Sequence, residues 1–105
     1  MFGILKSLFG SASSGLQISD NAFLVDVRTP NEYATGHVKG SVNIPLDQVQ
    51  NQLAKFKGKP EIVVFCRSGM RSSQAKAILE RNGFDNVVNG GTWNRVNQIV
   101  QQKKQ

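Results

Sequence analysis

The 105-residue sequence contains a single cysteine, Cys66, and a single histidine, His37. With one cysteine no disulfide can form within the chain, so the fold must be stabilised by packing alone. The same count excludes a CxxC redox pair and a zinc site built from a cysteine cluster. We therefore expect neither a metal nor a cofactor.

Acidic residues are also scarce, since seven of them face thirteen basic residues and leave a net charge of +6. This balance favours an anionic partner. A nucleic-acid-binding surface would need a basic face with interleaved aromatics, and the few aromatic residues, 8% of the chain, do not form one. We predict no nucleic-acid partner. Small basic clusters occur at Lys55, Lys57 and Lys59 and at Lys103 and Lys104, and we interpret the lysines of the turn, Lys57 and Lys59, as a solvated rim.

Long hydrophobic runs are scarce as well. The segment 1–15 has a one-sided apolar pattern at Phe2, Leu5 and Phe9, but it is too short to span a bilayer, and Lys6 makes it a poor secretory signal. Three interpretations stay open for it: a helical turn docked on the domain or on a partner, a frayed tail, or a membrane-directed piece. We expect a cytoplasmic monomer without membrane contact, and the third interpretation leaves export open.

The most informative stretch is Glu61–Asn82, in which an apolar run stops at Cys66. Ile62–Phe65 predicts a buried parallel strand, and a glycine-containing loop, Arg67–Arg71, follows it. Apolar residues at helical spacing then predict a helix; they are Ala75, Ile78 and Leu79. The thiol thus lies at the carboxyl end of a strand, which is where open α/β sheets bind ligands.

This position has a direct consequence for the Cys66 thiol. Backbone N–H groups of a loop that opens a helix point into the loop, and the helix N-terminus adds about half a positive charge. With Arg67 and Arg71 beside it, Cys66 is expected to have its pKa lowered from about 8.5 to roughly 3.5–7.5. A thiolate would then exist without a dedicated base, so we favour a structural role for His37 over a Cys66–His37 pair.

Asp26 interrupts another predicted strand, Phe23–Val27. A buried carboxylate needs a paired cation or several hydrogen-bond donors. The functional interpretation makes Asp26 an anchor for Arg71. The structural interpretation, which we favour, pairs Asp26 with Arg28 or has it cap nearby amides.

Capping signals and spacing predict the remaining elements. We expect a helix at Pro30–Ala34 with a capping box from Thr29 and Glu32, a strand at Ser41–Asn43, an amphipathic helix at Asp47–Phe56, a strand at Val87–Val88 and a last helix capped by Thr92. Trp93 is expected to close the core, with the mouth of the site as the alternative. One domain is predicted over residues 16–101, between the segment 1–15 and a frayed tail, 102–105.

The sequence resembles a rhodanese domain of the small single-domain type over roughly residues 23–93. Three stretches in the family's order and spacing carry the resemblance: DVRTPNEYATGHVKGSVNIP, CRSGMRS and GFDNVVNGGTW. It implies an α/β fold with a central, mostly parallel sheet and helices on both faces. It also implies transfer of sulfane sulfur through a persulfide of Cys66, in a substrate-binding loop formed by Arg67, Ser68, Gly69, Met70, Arg71 and Ser72.

The leading functional hypothesis is a sulfurtransferase that takes sulfur from thiosulfate or a persulfide and passes it to a thiol, a protein acceptor or cyanide. Arg71 is the stronger candidate for binding the donor's oxyanion, because Arg67 could point outward. Ser72 is expected to cap the helix, with donation to the persulfide as the alternative.

Two other functions compete with this one. The same Cys66 persulfide would serve a carrier or interaction module that works for a partner protein. A cysteine phosphatase or arsenate reductase is less favoured, because related phosphatases place an arginine six positions after the cysteine, where this chain has Ser72.

Overall fold

The computed structural model describes residues 15–103. Most of the predicted segment 1–15 and the last two residues therefore lie outside the described part. The elements are β1 (Phe23–Asp26), α1 (Pro30–Ala34), β2 (Val42–Asn43), two 3₁₀ segments (Leu46–Gln48 and Gln50–Phe56), β3 (Ile62–Cys66), α2 (Met70–Arg81), β4 (Val87–Thr92) and α3 (Trp93–Lys103).

The four strands form one parallel sheet in the order β2-β1-β3-β4. β3 is a central strand, and all five of its residues are buried. Because parallel strands end at the same edge, the carboxyl ends of β1, β3 and β4 lie side by side. The predicted fold class is confirmed, with Cys66 as the last residue of β3.

Side chains of β3 alternate between two apolar layers, as the strand period of two requires. Val64 and Cys66 pack into a layer that also contains Leu79 of α2 and Phe56 of the second 3₁₀ segment. The opposite layer contains Phe65 and is covered by α3. Helical elements therefore cover both faces of the sheet.

The predicted amphipathic helix at Asp47–Phe56 is wrong, because this region forms the two 3₁₀ segments with non-helical dihedrals at Gln52. The apolar pairs Leu46/Val49 and Leu53/Phe56 are each three residues apart. In a 3₁₀ turn, residues at i and i+3 lie directly above one another, so this spacing is satisfied without an α-helix.

β4 runs four residues beyond the predicted strand Val87–Val88 and pairs with β3 to its end, with an irregularity in register between Val64 and Phe65. Gly90 allows α3 to pack against this strand, because a Cβ there would approach the Val96 side chain to 2.7 Å. Gly90 and Gly91 therefore lie within the strand, and α3 packs closely against its backbone.

α3 extends further than predicted, since it continues to Lys103 within the expected tail 102–105. The Lys103 Nζ atom lies 2.9 Å from Asp20 Oδ1, which ties the end of this helix to the segment before β1. Within residues 15–103 there is no helix with the length and apolar character needed to span a membrane.

Candidate active site

Cys66 lies at the carboxyl end of β3, and the following loop folds back over its sulfur. The backbone N–H groups of Gly69 and Ser72 donate to Cys66 Sγ, at N···S distances of 3.0 and 3.4 Å. Gly69 has φ of +98°, a conformation that a side chain disfavours, and it is the N-cap of α2. The loop therefore directs the first amides of the helix at the thiol.

These contacts decide the protonation of the thiol. Burial raises the pKa of Cys66, but the backbone N–H and hydroxyl of Ser72, with the amides of Gly69 and Ser68, outweigh burial and leave the pKa below its ordinary value. The predicted direction is confirmed. The loop amides that the sequence predicted are among the causes, together with the Ser72 hydroxyl, whereas the charges of Arg67 and Arg71 are not.

The sulfur is less accessible than an open anion site would make it. Cys66 is 0% exposed and packs with the apolar layer under α2. Its hydrogen-bonding neighbours are nevertheless the polar groups of the loop. The side chains of Arg67, Ser68 and Met70 are exposed above it. In this conformation the Cys66 side chain is covered by its neighbours.

The prediction that Ser72 caps α2 is wrong. The N-cap residue is Gly69, and no side chain forms a capping hydrogen bond at this end of the helix. The Ser72 hydroxyl lies 2.7 Å from Asn89 Oδ1, 3.0 Å from the Gly69 carbonyl oxygen and 3.7 Å from Cys66 Sγ. Asn89 Oδ1 also accepts from the Gly91 N–H at 2.9 Å. Asn89 thus joins the loop to β4, and its only sequence signal was a polar residue directly after Val87–Val88.

Arg71 lies at the rim of the site, where Glu32 binds it with both carboxylate oxygens. The distances are 2.7 Å from Nη1 to Oε1 and 3.0 Å from Nη2 to Oε2, and both side chains are about one third exposed. The hydrogen bond from Arg71, followed by that from the Thr29 N–H, lowers the pKa of Glu32 from 4.5 to about 2. Glu32 also completes the predicted capping box of α1.

The partner that the sequence suggested for Arg71, Asp26, is occupied elsewhere. Asp26 and Arg28 form a buried pair with an Nη2–Oδ2 distance of 2.7 Å, as the structural interpretation favoured. Arg28 Nη2 also donates to the Gly36 carbonyl oxygen at 2.7 Å, and the guanidinium lies 4.6 Å from the centre of the Trp93 ring. Trp93 packs in the layer under α3, so its predicted core role is confirmed.

His37 does not contact Cys66 by hydrogen bonding. Its ring stacks on Tyr33 at a centroid distance of 3.8 Å, and its Nδ1 atom lies 2.9 Å from the Tyr33 carbonyl oxygen. These contacts tie the end of α1 to the following loop, which is the structural role predicted for the histidine.

Known proteins share this arrangement of sequence and fold. Residues 11–92 match the family model described as "Rhodanese-like domain". A protein of Allochromatium vinosum named "Sulfurtransferase" is 34% identical over 79 residues, which cover 75% of this chain and 74% of that protein. The thiosulfate sulfurtransferase PspE of Escherichia coli is 42% identical over 69 residues, which cover 64% of this chain and 66% of PspE.

A solved structure described as a rhodanese with anions from E. coli superimposes with a TM-score of 0.66. Its sequence identity is 36%, and the match covers 70% of this chain and 89% of that one. The likeness includes the sheet and the helices around it, so the architecture described above is that of the solved relative.

Proposed function

Because the chain belongs to the rhodanese-like domain family, we propose that it is a sulfurtransferase that carries sulfane sulfur as a persulfide on Cys66. The observation that carries this proposal is the pair of loop amides, from Gly69 and Ser72, aimed at Cys66 Sγ. Amides in this arrangement stabilise a thiolate and, after sulfur is added, a persulfide anion.

The first step is attack of the Cys66 thiolate on the outer sulfur of thiosulfate. A new S–S bond forms on Cys66, the S–S bond of thiosulfate breaks, and its electron pair leaves with sulfite. In the second step a thiolate or cyanide attacks the outer sulfur, and the electron pair of the enzyme's S–S bond returns to Cys66 Sγ. The loop amides of residues 67–72 then face an anion at each stage.

Arg71 supplies the binding site for the donor's oxyanion in this proposal. A guanidinium has five N–H donors, and the two closest contacts to Glu32 leave donors for a second anion. The hydrogen bond to Glu32 is the main cause that raises the pKa of Arg71, and the charge of the Cys66 thiolate adds a smaller contribution in the same direction. Arg67, whose side chain is exposed, contributes positive potential at the entrance.

The covered sulfur favours one second candidate, a persulfide carrier whose loop opens on a partner protein. Cys66 is 0% exposed, so small donors have access only through movement of the loop. An enzyme that turns over small substrates on its own opens this loop unaided, whereas a carrier needs its partner protein to open it. Steady turnover of thiosulfate and cyanide by the purified chain therefore separates the two.

The deciding experiment is intact-mass analysis after incubation with thiosulfate. We expect the wild-type protein to gain one sulfur atom, Cys66→Ser to gain none, and Ser73→Ala, an exposed serine of the same helix, to gain one. A wild-type protein that takes up no sulfur from thiosulfate or from a polysulfide would overturn the proposal, as would equal uptake by Cys66→Ser.

A further inference from the structure

A cleft of about 460 Å³ opens beside the site, between the first 3₁₀ segment and α2. Its apolar walls include Leu46 and Ile78, and Val27 lies at its base. Thiosulfate, with five heavy atoms, would leave most of this volume empty. A cleft of several hundred Å³ with mainly apolar walls and few polar groups is typical of sites for organic ligands.

The cleft lies next to the nucleophile. Asp26, the last residue of β1, is in register with Phe65 of β3, and the Val27 N–H donates to the Phe65 carbonyl oxygen at 2.9 Å, so Val27 lies beside Cys66. Both side chains belong to the same apolar layer. The base of the cleft is therefore the immediate neighbour of Cys66 on one face of the sheet.

One helix face joins the loop to the cleft. Arg71 and Ile78 lie seven residues apart on α2 and so share a face, with Arg71 beside the loop and Ile78 farther along the wall. On the opposite side, the Leu46 N–H donates to the Val27 carbonyl oxygen at 3.1 Å, which fixes that wall to the residue that follows β1. A ligand in the cleft would point one end at the Cys66 loop.

Away from the Arg71 end, where the donor's oxyanion is proposed to bind, the charges around the cleft disfavour an anion. Arg71, which lines it, is paired with Glu32, and Asp47, which also lines it, is exposed and carries a negative charge. The walls thus present one paired cation and one carboxylate. This balance suits an apolar body without a net negative charge.

We propose that this cleft binds the organic body of the sulfur acceptor, a thiol with an apolar, uncharged or cationic substituent. The inference rests on the proposed function and names the acceptor class of the same site. The thiolate of the bound acceptor attacks the outer sulfur of the Cys66 persulfide, the S–S bond to Cys66 breaks, and the products are an organic persulfide and the free Cys66 thiolate.

The test uses protein loaded with sulfur from polysulfide and a ladder of acceptors, ethanethiol, propanethiol and butanethiol, with cyanide as an acceptor that has no organic body. Each methylene that enters the cleft should raise the second-order rate constant of the transfer step about fourfold. Ile78→Ala should weaken the dependence of this rate constant on alkyl chain length and should change the rate with cyanide by no more than about twofold. The matched control is Ile99→Ala. Ile99 is a partly buried isoleucine packed in the opposite layer, so this variant should keep the full dependence on alkyl chain length.

A second variant leaves the apolar walls intact. Asp47→Lys should shift the preference between 2-aminoethanethiol and 3-mercaptopropionate towards the anionic thiol by roughly two- to fivefold, the range of an exposed charge interaction. Asp85→Lys, another exposed aspartate that does not line the cleft, should leave the preference unchanged.

The outcomes separate the two proposals. Protein that loads sulfur and transfers it to cyanide, but shows the same rate for all three alkyl thiols, would overturn the cleft inference and leave the sulfurtransferase standing. An equal effect of Ile78→Ala and Ile99→Ala on the chain-length dependence would also overturn the cleft inference. Protein that takes up no sulfur overturns the proposed function and this inference together.

Discussion

Two arginine–carboxylate pairs lie near the Cys66 loop, and they have nearly the same geometry in different surroundings. The Arg28–Asp26 and Arg71–Glu32 contacts are both 2.7 Å at their shortest. The side chains of the first pair are 4% and 0% exposed, and those of the second 33% and 29%. Burial, not contact distance, distinguishes them.

This difference assigns the pairs different roles. Removing one partner from a buried pair leaves an uncompensated charge, whereas water replaces a lost partner at the surface. Arg28 and Asp26 are also joined to the Gly36 carbonyl oxygen and the Arg28 N–H, so the pair holds the end of β1 in place. Because the exposed pair leaves Arg71 partly open to solvent, its remaining N–H donors can bind a substrate anion.

Breaking the buried pair should have the largest effect on stability. Asp26→Ala leaves the Arg28 guanidinium buried without its carboxylate, so we expect the free energy of unfolding to fall by about 3–5 kcal/mol. Urea denaturation of the variant and the wild type measures this difference. Since small domains have a total stability of about 5–15 kcal/mol, part of the variant should be unfolded at moderate temperature.

The control for this variant replaces both charges. In Asp26→Leu/Arg28→Met no buried charge is left unpaired, so most of the lost stability should return. If Asp26→Ala lost less than about 1 kcal/mol, the range typical of exposed pairs, the distinction drawn between the two pairs would fail.

Changes in the exposed pair should affect activity more than stability. Arg71→Ala removes charge-assisted hydrogen bonds worth about 1.5–3 kcal/mol, so kcat/KM for thiosulfate should fall roughly 10- to 150-fold. The free energy of unfolding should change by no more than about 1 kcal/mol. Steady-state kinetics and urea denaturation of the same preparation provide both values.

Arg67→Ala is the matched control, since it removes an exposed arginine of the same loop. It should lower kcat/KM by less than tenfold. Because Arg67 acts only through its exposed charge, this decrease should become smaller as the salt concentration rises. If the two variants were equally impaired, Arg71 would have no special role in binding the donor.

The sequence predicted the features that depend on neighbouring residues. The strand, loop and helix around Cys66, and the capping box of Thr29 and Glu32, follow from turn chemistry, capping and spacing within a few residues. The direction of the Cys66 pKa followed from the same local geometry, because the amides belong to the loop that succeeds the strand.

The features that the sequence missed depend on tertiary contacts. Glu32 and Arg71 are 39 residues apart and meet only because β1 and β3 are adjacent in the sheet. The contact between Asn89 and Ser72 likewise requires β4 to lie beside β3. The burial of Cys66 could not be read from the chain either, because an amide-lined loop has the same sequence whether it is open or closed over the sulfur.

The smallest predicted effect is the pH dependence of the exposed pair. The pKa of Glu32 falls from 4.5 to about 2 on folding, so its ionised form stabilises the protein above pH 4.5, and this stabilisation is lost as the pH falls from about 4.5 to about 2. Because both side chains are about one third exposed, we expect at most about 1 kcal/mol. The measurement is the difference in free energy of unfolding between the wild type and Glu32→Gln from pH 6 to pH 2.5.

Glu32→Gln suits this measurement because a glutamine at the same position still accepts the capping hydrogen bond from the Thr29 N–H, while the charge that faces Arg71 is removed. The difference from the wild type should therefore be constant above pH 5 and shrink below it. A difference that stayed constant down to pH 2.5 would mean that the ionisation of Glu32 adds nothing to stability. The carboxylate would then contribute nothing through Arg71, and the two arginine pairs would differ in more than burial.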